Sequence, residues 1–346
     1  MRQTTLLFLN IVAFALPTYS LESTLDQKIQ AMKDTAQFVA AIKSNNAAEV
    51  RNLLRNGINV DTREEDGTPV FYLAAINEST GVLSVLLDNG VDINAKKTYG
   101  GTALEAVVAR ASADDDIGKR LSKTIKIILS KKNSSNNTPL ADTDGLVATA
   151  AMNGSYEIVN ILLENGAQVE SKKIGVVSPI SLGACNGRDS DKIVSVLIKY
   201  GASVNRKNKD SEDIPVIMAA QCGTAVLATL IKAKADLEVK TASGDTPLLI
   251  ALKRRDHDME NAELLISNNV DVNVTDDFGN SPLILAVKSE EGNKIVKLLI
   301  SKKADLNKRD KNGRTALGWA LWQLEHALGE KDYSVSEMLS KAGAIE

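Results

Sequence analysis

The feature that most limits what this chain can fold into is a phrase it keeps restating. From Tyr156 to Val169 the sequence reads YEIVNILLENGAQV, an amphipathic run, a stop at Gly166 and an extended tail. The phrase returns as VRNLLRNGINV from Val50, VLSVLLDNGVDI from Val82 and IVSVLIKYGASV from Ile193, with looser copies from Val226, Asn261, Ile295 and Val335. The stop residues are Gly57, Gly90, Lys132, Gly166, Gly201, Lys234, Asn269, Lys303 and Gly343. Most lie 33 to 35 residues apart, and the gaps ending at Lys132 and Gly343 are longer, 42 and 40 residues. A period in this range means that one supersecondary unit is copied, and that no copy can bury its apolar face without a neighbour.

A second marker precedes each stop. It reads GTPVFYLA from Gly67, GTALEAVV from Gly101, VSPISLGA from Val177, DIPVIMAA from Asp213, DTPLLIAL from Asp245, NSPLILAV from Asn280 and RTALGWAL from Arg314. Pro69, Pro179, Pro215, Pro247 and Pro282 stand where a first helical turn tolerates a fixed φ and a missing N–H. Thr68, Ser178, Thr246 and Ser281 precede a proline, where a hydroxyl can accept an orphan N–H bond. A short helix follows, closed by Gly154, Gly187 or Gly223. A second helix then presents apolar residues at helical spacing, as in Ile158, Ile161 and Leu162. The stop glycine suits the left-handed conformation that ends a helix. Lys234, Asn269 and Lys303 in that place should cost about 1 kcal/mol, less for the asparagine.

This unit of turn, helix, helix and tail resembles the ankyrin repeat, and nine phased copies cover about Asp34 to Glu346. The resemblance implies an all-α repeat fold, an ankyrin-type solenoid of stacked helix-turn-helix units joined by short hairpin loops. The family's TPLH histidine is missing: Phe71, Glu105, Ser181, Ile217, Leu249, Ile284 and Gly318 take its place. The turn-locking bonds that histidine makes must come from elsewhere or be absent.

Three segments are expected. Residues 1–20 read as a secretory signal peptide, with Arg2, an apolar run from Leu6 to Leu16, Pro17, and small residues Thr18 and Ser20 at a cleavage site after Ser20. The apolar run is about half the length of a membrane span. Residues 21–33 read as an N-terminal capping helix, because Leu25, Ile29, Met32 and Ala36 share one helical face and Ser23 with Asp26 resembles a capping box. Residues 34–346 read as the repeat domain, with insertions near 111–123 and 326–334. Asp114, Asp115 and Asp116 in the first insertion lack the alternating spacing of a calcium loop, so a solvated bulge is expected. The mature chain is expected to be secreted or periplasmic, off the membrane, and monomeric.

Catalytic chemistry has little to work with. His257 and His326 are the only histidines, and neither has a partner motif; no GxSxG, HExxH or Walker loop occurs. No enzyme, cofactor or metal is expected. A net charge of −3 gives no basic surplus for nucleic acid. Cys185 and Cys222 occupy neighbouring positions in adjacent repeats. A disulfide suits an exported chain, but helices packed about 8–10 Å apart sit beyond the roughly 7 Å Cα limit of a bridge. The pairing stays open, weighted against.

What remains is a surface. In ankyrin stacks the hairpin tips and the exits of the inner helices line a concave, partner-binding groove. That resemblance, carried over by position, selects Tyr99, Arg110, Met152, Asn153, Asn186, Gln221, Lys253, Arg254, Phe278 and Trp322. The expected function is an exported scaffold that binds another protein. The alternatives are an exported effector or toxin whose repeats target a partner protein, and a minor enzymatic activity not visible in the sequence.

Overall fold

The computed structural model describes residues 25–111, 115–130, 143, 145–170, 177–185, 187, 189–206, 213–254, 259–289, 292–326 and 332–346. The expected signal peptide, Asp114, Lys132, Asn186 and His257 lie outside the described residues. Every described element is helical apart from one isolated bridge between Arg63 and Pro69. Among the described residues no helix is long and apolar enough to cross a membrane.

The chain divides into two compact units, residues 1–110 with 119–142 and residues 111–118 with 143–346. The first unit holds α1 (25–43), α2 (Ala47–Arg55), α3 (Val70–Ile76), α4 (Thr80–Asp88), α5 (Ala103–Ala109) and most of α6 (Asp115–Ser130). Its inner helices α3 and α5 pack side by side, as do its outer helices α2 and α4. The second unit repeats this arrangement over a longer run. Its inner row is α7 (Leu146–Met152), α9 (Pro179–Gly183), α11 (Pro215–Cys222), α13 (Pro247–Leu252), α15 (Pro282–Lys288) and α17 (Ala316–His326). Its outer row is α8 (Tyr156–Glu164), α10 (Ser190–Lys199), α12 (Thr224–Lys232), α14 (Glu260–Ser267), α16 (Asn293–Ser301) and α18 (Ser334–Lys341). Each helix touches its own hairpin partner and the equivalent helix of the next pair. This nearest-neighbour pattern is that of a repeat solenoid.

Local chemistry explains the boundaries. Pro179, Pro215, Pro247 and Pro282 open their helices at the first position. Ser178, Thr246 and Ser281 cap three of those helices by accepting N–H bonds from Ser181, Leu249 and Ile284. Thr68 does not: its hydroxyl is buried without a partner, and α3 starts a residue later, with Pro69 itself as the cap. In this repeat Gly67 directly precedes Thr68, whereas one residue separates Gly244 from Thr246 and Gly279 from Ser281. The shorter hairpin shifts the helix start beyond reach of the hydroxyl.

At the stops, Gly57, Gly90, Gly166 and Gly201 take φ between 78° and 94°, and Lys234, Asn269 and Lys303 follow at 65°, 61° and 63°. The backbone path is kept even where the side chain opposes it. The tails that follow form a ladder. The side-chain oxygen of Asp61, Asn205, Glu238 and Asn273 accepts at 2.8 Å from the backbone N–H of Asp92, Asp236, Asp271 and Asp305 in the next repeat. Buried N–H groups of one layer are thereby satisfied by the layer beside it.

Two sequence expectations change here. The segment 21–33 is not a separate cap: helix α1 runs unbroken to residue 43 and is the inner helix of the first pair. Its apolar face at Leu25, Ile29 and Met32 is exposed instead of covering a repeat. No helix breaker stands between Leu25 and Lys43, so propagation continues where the repeat period alone suggested a boundary. The insertion near 111–123 is no bulge in its described part, because from Asp115 on it lengthens α6 to 16 residues. Asp115 and Asp116 lie in the first turn, where acidic side chains favour the helix dipole.

Candidate partner-binding face

The inner helices end at hairpin tips, and in the second unit the last three repeats build a connected polar and aromatic surface there. Asp245, Asp276 and Asp310 are buried carboxylates at successive tips. Asp276 accepts from the backbone N–H groups of Phe278 (2.9 Å) and Asn280 (2.8 Å), and Asp310 from those of Asn312 (2.8 Å) and Arg314 (3.0 Å). These bonds lock the turns. They take over the role left vacant by the absent histidines. In the first unit Glu105, standing in the histidine position, closes a capping box with Thr102.

Lys253, at the exit of α13, bridges two of the carboxylates, 2.7 Å from Asp245 and 3.2 Å from Asp276. Desolvation alone would lower its pKa, but the two carboxylates outweigh it and hold the ammonium above its ordinary value. Burial likewise works against the charged form of Asp276, yet hydrogen bonds from Asn280 and Lys253 keep that carboxyl below the usual range.

One repeat further on, Lys288 occupies the equivalent exit in a different setting. Its Nζ donates to the Asn280 side-chain oxygen at 2.8 Å and sits 3.9 Å from the centre of the Trp319 ring. Desolvation holds its pKa below the ordinary value; Asp310 and Asp276 oppose this at a distance, while Arg314 adds to it. The Trp319 indole donates to Asp310 at 2.8 Å, which fixes the ring. The Arg314 guanidinium stacks 4.8 Å from Trp319 and 5.5 Å from Trp322. Trp322 meets Trp319 edge-on and stacks on His326, with centroids 5.5 Å and 4.5 Å apart.

A second bridge marks the same face. Cys185 and Cys222 form a disulfide with Cα atoms 5.2 Å apart, against the expectation from helix spacing. The spacing rule fails because the two residues sit at helix exits. Cys222 is the last residue of α11, and Cys185 lies past the end of α9, a helix of only five residues. In the first unit a cavity of about 740 Å³ opens between α1 and the hairpin at Arg63–Asp66, lined by Met32, Ala36, Val39 and Lys43 among others. Among the described residues no group of three or more His, Cys, Asp or Glu side chains could hold a metal.

The family model described as "Ankyrin repeats (3 copies)" matches residues 9–97, 180–274 and 255–330, together well over half of the chain. The chain belongs to the ankyrin repeat family. Over 289 residues, 80% of its length, it is 26% identical to the human transient receptor potential cation channel subfamily A member 1, of which it spans 25%. It is also 32% identical over 115 residues to an ankyrin repeat-containing protein of Treponema pallidum, matching 33% of this chain and 38% of that protein. The chain thus spans well under half the length of these two relatives. Among solved structures, the ankyrin repeat domain of Bcl-3, described as a unique member of the IkappaB protein family, superposes with a TM-score of 0.52 at 21% identity, covering 66% of this chain and 97% of that one. An ankyrin repeat domain from Acinetobacter baumannii gives 0.50 at 24% identity, covering 58% and 99%. These likenesses show the fold.

Within this ankyrin repeat protein the ten residues selected by position divide between the units. Tyr99 stands at a hairpin tip of the first unit, 97% exposed. Arg110 follows α5, bonds the Ile76 carbonyl at the exit of the preceding inner helix, and pairs with Glu78 at 3.7 Å. In the second unit Met152, Gln221, Phe278 and Trp322 are exposed at helix exits or tips. Asn153 and Arg254 are half-buried, and Lys253 is tied into the carboxylate bridge. Positional reasoning left Lys288, Arg314 and Trp319 outside the selected set. Their signal was available: an arginine five residues before a tryptophan, with a second tryptophan at i+3.

Proposed function

We propose that this protein is an exported scaffold of nine ankyrin repeats that binds another protein through its inner-helix exits and hairpin tips, without catalytic chemistry. One observation carries this reading. The exposed large apolar side chains are Leu25, Ile29, Met32, Tyr99, Met152, Val177, Phe278, Leu321, Trp322, Tyr333 and Ile345. Among the described residues, all lie on inner helices, at tips and helix edges, or at the chain's end. The outer helices α2, α4, α6, α8, α10, α12, α14, α16 and α18 carry none of them. Clustered apolar exposure marks an interaction surface, whereas single scattered residues do not. A stack that is already ordered presents that surface with little ordering entropy left to lose on binding. Eighteen described helices, pairing as inner and outer members, support the repeat number.

Export is favoured by the apolar Leu6–Leu16 run with its small-residue site and by the Cys185–Cys222 disulfide, a bond that persists in oxidising compartments. The N-terminal mass of the protein from its native compartment tests export; retention of Met1 to Ser20 on the abundant form would refute it. The surface assignment is tested once a partner has been recovered by crosslinking and affinity capture. Met152, Gln221 and Phe278 changed together to Ala should weaken binding about tenfold or more. Lys199, Lys232 and Lys297, exposed on outer helices, changed together to Ala should leave it intact. The reverse result would place the site on the outer helices.

A further inference from the structure

Several features can be set aside. The apolar stripe of α1 and its cavity show nothing of what would cover them. The Asp245–Lys253–Asp276 cluster is closed on itself, with every charge answered from within. The surface around Trp319 differs, because its cations are held by ring faces and amides instead of carboxylates.

Resting on the scaffold reading, we propose that the C-terminal end of this face is a docking site for an acidic protein segment, in which Lys288 and Arg314 receive carboxylates and Trp322 receives an adjoining apolar side chain. Four observations converge. Neither cation is ion-paired with a carboxylate among the described residues: Lys288 bonds a carboxamide and sits over Trp319, and Arg314 lies over both indoles. A guanidinium stacked on rings keeps its N–H edges free for in-plane, bidentate carboxylate contact. The nearby carboxylates cannot take that role, since Asp310 is bound to Trp319 and two backbone N–H groups, and Asp276 to Lys253 and Asn280. The surrounding sequence is also basic. From Lys294 to Arg314 there are eight Lys or Arg residues and two Asp, although the whole chain has a net charge of −3. Trp and Arg together, one fixed by a buried bond and the other partly exposed, are the residue types that concentrate binding energy at interfaces. Positive charge without internal partners beside an exposed indole fits an acidic, partly apolar peptide, and disfavours a basic one.

The site carries its own reporter, because Trp319 and Trp322 are the only tryptophans in the chain. A displayed library of random dodecapeptides is panned against the full-length protein with its disulfide intact, and the selected peptides are synthesised and titrated by tryptophan emission. Selected peptides should be enriched in Asp and Glu and should change the emission. Their affinity should fall about tenfold in Lys288→Ala and in Arg314→Ala. Arg314→Lys, which keeps the charge but loses the planar fork, should fall between wild type and Arg314→Ala. Circular dichroism confirms that each variant is folded. Peptides without acidic enrichment, or acidic peptides indifferent to both alanine changes, overturn the proposal. Peptides weakened by Met152→Ala and Gln221→Ala but not by Lys288→Ala or Arg314→Ala overturn it while leaving the scaffold reading standing. Failure to select any peptide counts against both.

Discussion

Lys253 Nζ lies 3.2 Å from the Asp276 carboxylate, a contact that crosses from one repeat to the next. The same ammonium is 2.7 Å from Asp245 in its own repeat, so a single side chain clips two hairpin tips together. The lysine stands at a helix exit and reaches the tips from there. A fold that lacks its family's histidine has recovered the turn lock from a different direction.

This clip should give stability a definite pH profile. The Asp276 carboxyl is held below its unfolded value, so its contribution is complete above about pH 3.9 and is lost as pH falls through the lower folded value. Lys253 is held above its unfolded value, so its contribution is complete below about pH 10.4 and is lost as pH rises through the folded value. Asp276→Asn should cost about 2 kcal/mol near neutrality and make the acid-side loss shallower. Urea titrations across pH for both proteins provide the check, and an unchanged acid limb would contradict the clip.

Asn261 joins repeats from the other side. It is fully buried on α14, and its Nδ2 donates to the carbonyls of Ala219 (3.3 Å) and Ala220 (3.0 Å) near the end of α11. Asn261→Ala should cost about 2 kcal/mol, since it strands two carbonyls and leaves a void. Asn261→Asp would set a carboxylate against those carbonyls and should cost more. Equilibrium denaturation of both variants decides the order.

The left-handed stops offer a gain. Lys234, Asn269 and Lys303 hold φ between 61° and 65° with a Cβ that opposes it. Lys303→Gly and Lys234→Gly should each stabilise by about 1 kcal/mol, and Asn269→Gly by less, because asparagine tolerates this region. Destabilisation by Lys303→Gly in a denaturant series would show that the side chain contributes more than its backbone costs.

Reduction should weaken the protein. The Cys185–Cys222 bridge closes a loop with a sequence separation of 37, for which chain entropy predicts up to about 4 kcal/mol. Unfolding with and without reductant measures the loss, and the Cys185→Ser, Cys222→Ser double variant should match the reduced protein. Equal stability in both redox states would mean that the bridge leaves the unfolded chain unconstrained.

The helix pairs, their proline starts and their left-handed stops were legible because each depends on residues within a few positions of one another. Phase then carried the information from copy to copy. What the sequence hid was contact across copies. The Lys253 clip joins residues 23 apart in sequence, between Lys253 and Asp276, and nothing in either segment advertises the other. The disulfide was judged on helix spacing, which does not hold once the chain has left the helix at Cys185. Thr68 failed as a cap because one deletion in a hairpin shifts a helix start, a change too small for a marker of the TP type to register. Among the candidate site residues, exposure was read correctly at Met152, Gln221, Phe278 and Trp322. Lys253 was misjudged as available, because charge at a helix exit says nothing about a buried carboxylate in the next layer.

The bridge between Cys185 and Cys222 has a mechanical side. A stack whose layers touch only their neighbours yields layer by layer when its ends are pulled apart, each repeat releasing its length in turn. The stretch between the two cysteines cannot do so. At about 3.5 Å per extended residue, a separation of 37 withholds about 130 Å of contour length for as long as the bond is oxidised. Under tension the oxidised protein is therefore a shorter tether than its reduced form, by about one repeat.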